Sequence, residues 1–258
     1  MPTHSCIYVT ACLIAATAIN AHADPEPAVT PYRPSVSTPA ALPAPGWLEV
    51  EAGWERGRSE SSSHRDALPY TLKLALSPDW GLRVGGQAWV REVDASGTAR
   101  RGAGDTGFVL KRRFAINDAS AFGMELGVIA PTASGGLGSG HTDVGLNGIY
   151  SADFFEVWHT DLNLTATRLG DDSSGGSRWQ TGWAGSFSRN LNDRWSVTGE
   201  LSGTQQRGAD HTAQMLFAAS YSMSRRIALD AGVSKGLNRA SGDWTVFAGM
   251  TFLAFKLF

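Results

Sequence analysis

The chain has 258 residues, with 22 Lys or Arg against 24 Asp or Glu and a formal net charge of −2. That balance carries no electrostatic footprint for a nucleic-acid partner. A mean hydropathy of −0.15, with no long apolar run beyond the N-terminus, excludes a helical membrane protein. It does not exclude a membrane barrel, whose strands average lipid-facing and lumen-facing side chains to near neutrality.

Residues 1–23 read as a cleaved secretory signal, with an apolar segment from Cys6 to Ile19 and the small-x-small pattern Ala21-His22-Ala23 behind it. The opening Met1-Pro2-Thr3-His4-Ser5 departs from the usual pattern in having no Lys or Arg. Cys6 and Cys12 are the only cysteines and both fall in this segment, so the mature chain is expected to have no thiol, disulfide or cysteine metal site. Residues 24–46 hold seven of the eleven prolines. Such a stretch cannot pair as a strand, and the composition predicts an extended, disordered linker.

From Trp47 to Phe258 the pattern becomes period-two alternation. It predicts twelve strands, near 47–56, 69–77, 80–92, 104–115, 120–131, 141–151, 155–167, 178–189, 194–205, 212–222, 226–235 and 243–258. In the first, Leu48, Val50, Ala52 and Trp54 share one face and Glu49, Glu51 and Glu55 the other. In the third, Leu82, Val84, Ala88 and Val90 stand opposite Arg83, Gln87 and Arg91. Short turns at Ser77–Asp79, Asn117-Asp118, Ser151–Asp153, Asn190–Asp193 and Ser224-Arg225 alternate with longer polar loops, including 56–67, 95–102, 134–140 and 170–177.

Alternation of short turns and long loops is the construction of outer-membrane barrels, with the turns and both termini on the periplasmic side. The expected fold is therefore all-β, a transmembrane antiparallel up-and-down β-barrel of outer-membrane type spanning 47–258 in the lipid bilayer. Charges on the outward faces are few and lie near strand ends (Arg112, Lys235, Glu156), where long side chains reach water. Trp54, Tyr70, Trp80, Tyr150, Trp179, Trp195, Tyr221 and Trp244 lie where aromatic girdles belong. The terminal Phe258 fits recognition by the barrel-assembly machinery, although Lys256 stands where an apolar residue is usual. A soluble sandwich would also alternate, but it does not explain the loop pattern, the signal and the terminal Phe together.

Inward-facing charges recur at matched heights: Glu51, Lys73, Arg83, Arg91, Asp105, Lys111, Arg113, Glu125, Asp143, Asp161, Glu200 and Asp230. They suit either a pore whose charged walls select solutes or a set of ion pairs that fill a narrow lumen. An open polar lumen favours a channel, and a plugged lumen without a lateral opening counts against one. A structural or adhesive barrel is the alternative. A hydrolase would need His159, beside Asp161, or His141, beside Asp143, within reach of a Ser or Thr hydroxyl. The run Gly135–Gly140 lacks the Lys and the helix of a phosphate loop. No cofactor and no metal are implied.

Several segments carry a family resemblance: Gly102-Ala103-Gly104-Asp105 leading to Lys111-Arg112-Arg113-Phe114; Ala130-Pro131-Thr132-Ala133 followed by His141-Thr142-Asp143-Val144-Gly145; Asp161-Leu162-Asn163-Leu164; Glu200; and Asp230-Ala231-Gly232 with Gly236-Leu237-Asn238. Over roughly 47–258 the chain resembles the outer-membrane transporters named for the meta-pathway of phenol degradation. The resemblance implies a small outer-membrane barrel linked to uptake or efflux of aromatic or other hydrophobic small molecules. The proline-rich leader and Lys256 depart from that pattern.

Overall fold

The computed structural model describes residues 27–59, 63–171 and 176–258. The signal expected over 1–23, with both cysteines, lies outside the described residues. Thirteen strands follow in chain order: β1 (Trp47–Arg58), β2 (His64–Ala75), β3 (Trp80–Val93), β4 (Ala99–Gly102), β5 (Thr106–Asn117), β6 (Ser120–Ala130), β7 (Asp143–Phe154), β8 (Trp158–Arg168), β9 (Trp179–Asn190), β10 (Trp195–Gln206), β11 (Thr212–Ser224), β12 (Ile227–Gly236) and β13 (Trp244–Lys256). Apart from β4 and β5, which do not pair with each other, each strand pairs antiparallel with the next, and β1 pairs with β13 to close the wall. β4 and β5 both pair with β3 and occupy one position in the wall. The result is a closed antiparallel barrel with twelve strand positions, which leaves no unpaired sheet edge.

Alternation sorts the side chains. Leu164, Phe217 and Met124 face outward at 72%, 60% and 56% exposure, while Glu49, Lys73 and Thr251 face inward at 0–1%. An apolar exterior around a polar interior is the reverse of a soluble protein, and it is what lipid outside and a hydrated lumen inside require.

Three sequence expectations are corrected. β2 begins at His64 and carries Pro69 at a bulge, with the register shifting between Leu68 and Pro69 against β3. The extra β3 residue at that bulge reverses the faces beyond Ala88, so Val90 is buried inside while Trp89 and Arg91 turn outward. Arg91 is therefore not in the lumen, contrary to plain alternation. The turn expected at 151–153 lies instead at Phe155–Val157, where Phe155 and Glu156 adopt left-handed φ of 51° and 61°. No glycine marks this turn. It is supported by stacking of Phe154 on Trp158, with ring centroids 6.4 Å apart.

The lipid-facing surface makes a direct prediction. Leu164→Arg, at mid-strand on β8, should cost about 2–4 kcal/mol in urea-titrated refolding into bilayers, whereas Thr165→Arg on the lumen side should cost much less.

Candidate functional site: a lumen filled by the leader

Residues 27–46 do not form a disordered linker. They lie ordered inside the barrel, in the half nearer the short turns, and return to the wall where Gly46 donates to the Ala75 carbonyl and β1 begins. The physical reason is an accounting of donors and acceptors. Most wall backbone groups are engaged in the sheet, so a peptide inside must be satisfied chiefly by inward side chains. The prolines at 31, 34 and 39 have no N–H to satisfy. Seven other N–H groups find partners: Val29 on the Arg225 carbonyl, Thr30 on Glu49 Oε2 (2.8 Å), Tyr32 on Glu51 Oε1 (2.7 Å), Val36 and Ser37 on the two oxygens of Glu200 (3.1 and 2.9 Å), Thr38 on Asn163 Oδ1 (3.0 Å) and Ala40 on Ser151 Oγ (2.7 Å).

The carbonyls are served in the same way. Lys73 Nζ donates to Thr30 O at 2.7 Å, Lys111 Nζ donates to Pro39 O, and Asn163 Nδ2 donates to Thr38 O at 2.9 Å. Tyr32 anchors the segment. Its ring centroid lies 3.8 Å from Lys73 Nζ and 4.3 Å from Lys111 Nζ, and its hydroxyl accepts from Lys111 while donating to Ala41 O. Cations over an aromatic face are held by its quadrupole, more strongly when desolvated. Arg33 forks onto Asp230 at 3.0 and 3.1 Å, the bidentate geometry that guanidinium and carboxylate favour.

Glycines make the room. Gly53 and Gly249 are opposed across β1 and β13, and a Cβ at Gly53 would lie 2.8 Å from the Arg33 guanidinium carbon. At Gly81 it would meet Leu42 at 2.7 Å, and at Gly123 it would crowd the Ala40 Cα at 3.2 Å. The buried apolar cluster that holds the leader is small: Ala40, Ala121 and Ile149.

Most of the inward charges named from sequence meet here. Glu51 and Lys73 pair at 2.6 Å, with Glu49 on the other side of Lys73 at 2.6 Å. Glu125 lies 3.3 Å from both Arg83 and Lys111. Glu200 and Asp230 hold the leader, while Asp161 accepts from Ser151 Oγ and lies 3.0 Å from His159 Nε2. Four do not join the cluster. Asp105 accepts from the loop amides of Ala133 and Ser139, Asp143 accepts from Gly170 N, and Arg91 faces outward. Arg113 faces the lumen near the turn end, with no ion-pair partner among the described residues. Alternation alone did not point to Tyr32, Arg33, Ser37 and Thr38. The available signal was an aromatic–Arg pair inside a proline run, matched by glycines at inward wall positions.

Above the leader, toward the loops, a cavity of about 580 Å³ is lined by Val36 and Thr38 below and by Asn147, Thr165, Thr167 and Gln214 around it. Its wall sets hydroxyl and amide side chains among apolar ones, Val109 and Ile129 included, with Arg83, Glu125 and Asp143 the charged groups. Among the described residues, neither imidazole hydrogen-bonds a Ser or Thr hydroxyl. His159 Nδ1 lies 2.6 Å from Asp153, its Nε2 faces Asp161, and His141 Nδ1 faces the Ser139 carbonyl.

No family model and no curated protein matches the chain. Solved structures do. The barrel is similar to the COG4313 outer membrane channel from Pseudomonas putida F1 (TM-score 0.63, 14% identity, 83% of this chain and 98% of that one). It is also similar to the KdgM porin in complex with disordered oligogalacturonate (0.57, 11%, 80% and 99%) and to the toluene transporter TbuX of Ralstonia pickettii (0.51, 7%, 82% and 90%). At these identities the likeness is one of fold, and the fold is that of outer-membrane channels.

The placement of the leader is testable by cysteine labelling. Val36 is 53% exposed and Ala40 is fully buried, so Val36→Cys should react with an impermeant maleimide from the loop end while Ala40→Cys is protected. Adding Glu200→Ala, which leaves donors of Val36 and Ser37 unpaired at about 1–3 kcal/mol, should raise Ala40→Cys labelling severalfold. Equal rates at the two positions would contradict the placement.

Proposed function

We propose that the chain is an outer-membrane channel for passive passage of small molecules, with the loop end extracellular and its own leader as the internal barrier. The observation that carries this reading is a vestibule of about 580 Å³ that ends on a segment held chiefly by polar contacts. Such contacts, most of them to charged groups, exchange for water at a net cost of about 1.5–3 kcal/mol each. A leader anchored by a large apolar core would have no comparable way to shift within a hydrated lumen. The filled lumen counts against a static open pore, so passage requires the leader to shift while the wall stays closed.

A lining of apolar groups with hydroxyl and amide side chains set among them suits small neutral or weakly polar solutes, with hydroxylated aromatics a natural class for a space of this size. The likeness to a structure named as a toluene transporter supports that choice. Phe258, 63% exposed beyond β13, is the proposed contact for the barrel-assembly machinery.

Planar-bilayer recording of the refolded chain tests the reading. Small discrete steps are expected from the wild type, with larger or longer openings in Arg33→Ala and Glu200→Ala and block by added phenols. A barrel that inserts but conducts neither as wild type nor with both anchors removed would sink the channel and favour a structural role.

A further inference from the structure

The outer surface of β1–β4 near the loop end carries chemistry that the lumen does not use. The register sets Arg56 beside Asp66, Asp66 beside Arg91 and Arg91 beside Arg101, so four strands present three arginines around one aspartate. The bulge at Leu68 and Pro69 is what brings Arg91 to this face. One row nearer the loops stand Lys235, Trp244, Arg58 and His64, again in register. One row nearer mid-barrel are Trp54, Leu68 and Trp89, at 39%, 42% and 36% exposure. Apolar side chains therefore give way abruptly to cations on the outside of the wall, at the edge where lipid tails would meet headgroups.

The cations are only partly neutralised. Arg56 forks onto Asp66 at 2.6 and 3.1 Å, Arg91 lies 3.9 Å from the same carboxylate, and Lys235 lies 3.6 Å from Asp243. Among the described residues, the exposed side chains of Arg58 and Arg101 have no carboxylate partner. Five Lys or Arg against two Asp leave a balance of +3, His64 aside. Arg91 and Arg101 are direct cross-strand neighbours, an arrangement that is unfavourable unless an anion lies between them. A groove of about 280 Å³ is lined by Arg56, Arg58, His64 and Trp244.

We infer that this face binds the phosphorylated headgroup of an outer-leaflet lipid. The acyl chains lie along Trp54, Leu68 and Trp89, and the phosphate oxygens accept from the guanidinium groups of Arg58 and Arg101. Guanidinium matches phosphate bidentately, and the apolar row below supplies the surface that a free anion would not use. The inference rests on the outer-membrane reading and on the loop end being extracellular. It does not depend on whether the lumen conducts.

The test titrates the refolded full chain in detergent with diphosphoryl lipid A, with its dephosphorylated form and with inorganic phosphate, counting bound species by native mass spectrometry. Diphosphoryl lipid A should bind, and the other two should bind at least about tenfold more weakly, as expected when one charge-assisted contact is lost. Arg58→Gln with Arg101→Gln should weaken lipid A binding by a similar factor. Arg112→Gln with Arg189→Gln, outward arginines at the opposite rim stacked on Trp80 and Trp158, should bind as wild type. Equal binding of the dephosphorylated lipid, equal binding of free phosphate, or unchanged affinity in the Arg58/Arg101 variant would each overturn the inference. Bilayer conductance of that variant should match the wild type, so loss of lipid binding and loss of channel activity are read separately.

Discussion

Inside a closed β-cylinder the wall's own peptide groups are largely spent on one another, and any further stretch of backbone must be satisfied chiefly by side chains. The arrangement of this lumen follows from that constraint. Carboxylates of Glu49, Glu51 and Glu200 stand where leader N–H groups arrive, Lys73 and Lys111 where its carbonyls arrive, and Asn163, which can both donate and accept, serves the N–H and the C=O of Thr38. The prolines reduce the number of donors that need such service.

The same constraint explains the charge balance within the lumen. Around the leader, Glu49, Glu51, Glu125, Asp161, Glu200 and Asp230 oppose Lys73, Arg83, Lys111 and the leader's own Arg33, six acids to four bases. Desolvated charges need compensation, and here part of it comes from peptide N–H groups. Glu200 is 4% exposed and accepts from two amides and the Ser37 hydroxyl. Such a cluster is neither a bare selectivity ring nor a set of ion pairs complete in themselves. It is a receptor for a segment of the same chain.

The two ends of the barrel differ in kind. Toward the short turns, the lumen is filled and closely packed around Tyr32. Toward the loops it opens into a space lined by hydroxyl, amide and apolar groups, while the outer wall passes from Trp54 and Trp89 to a row of arginines. One strand pair, β2 with β3, contributes to all three zones: Lys73 and Arg83 inside, Leu68 and Trp89 against lipid, and Asp66 and Arg91 at the rim. The bulge at Pro69 allows this, because one extra residue exchanges the faces of everything beyond it.

Period-two alternation, the turn–loop rhythm and the inward charges were legible in the chain itself, because lipid outside and water inside impose opposite demands on successive residues. Twelve wall positions and the lumen positions of Glu51, Lys73, Lys111, Glu125, Glu200 and Asp230 follow from that local rule. Three features were decided only by tertiary structure. The outward turn of Arg91 depends on a bulge that alternation cannot register. The turn at Phe155 and Glu156 uses left-handed backbone without the glycine that would announce it. The ordering of residues 27–46 depends on partners contributed by strands up to 197 residues away, such as Asp230 for Arg33. Proline content shows that a segment cannot join a sheet. Only the closed wall, with glycine gaps and unspent carboxylates facing inward, determines that it comes to rest inside.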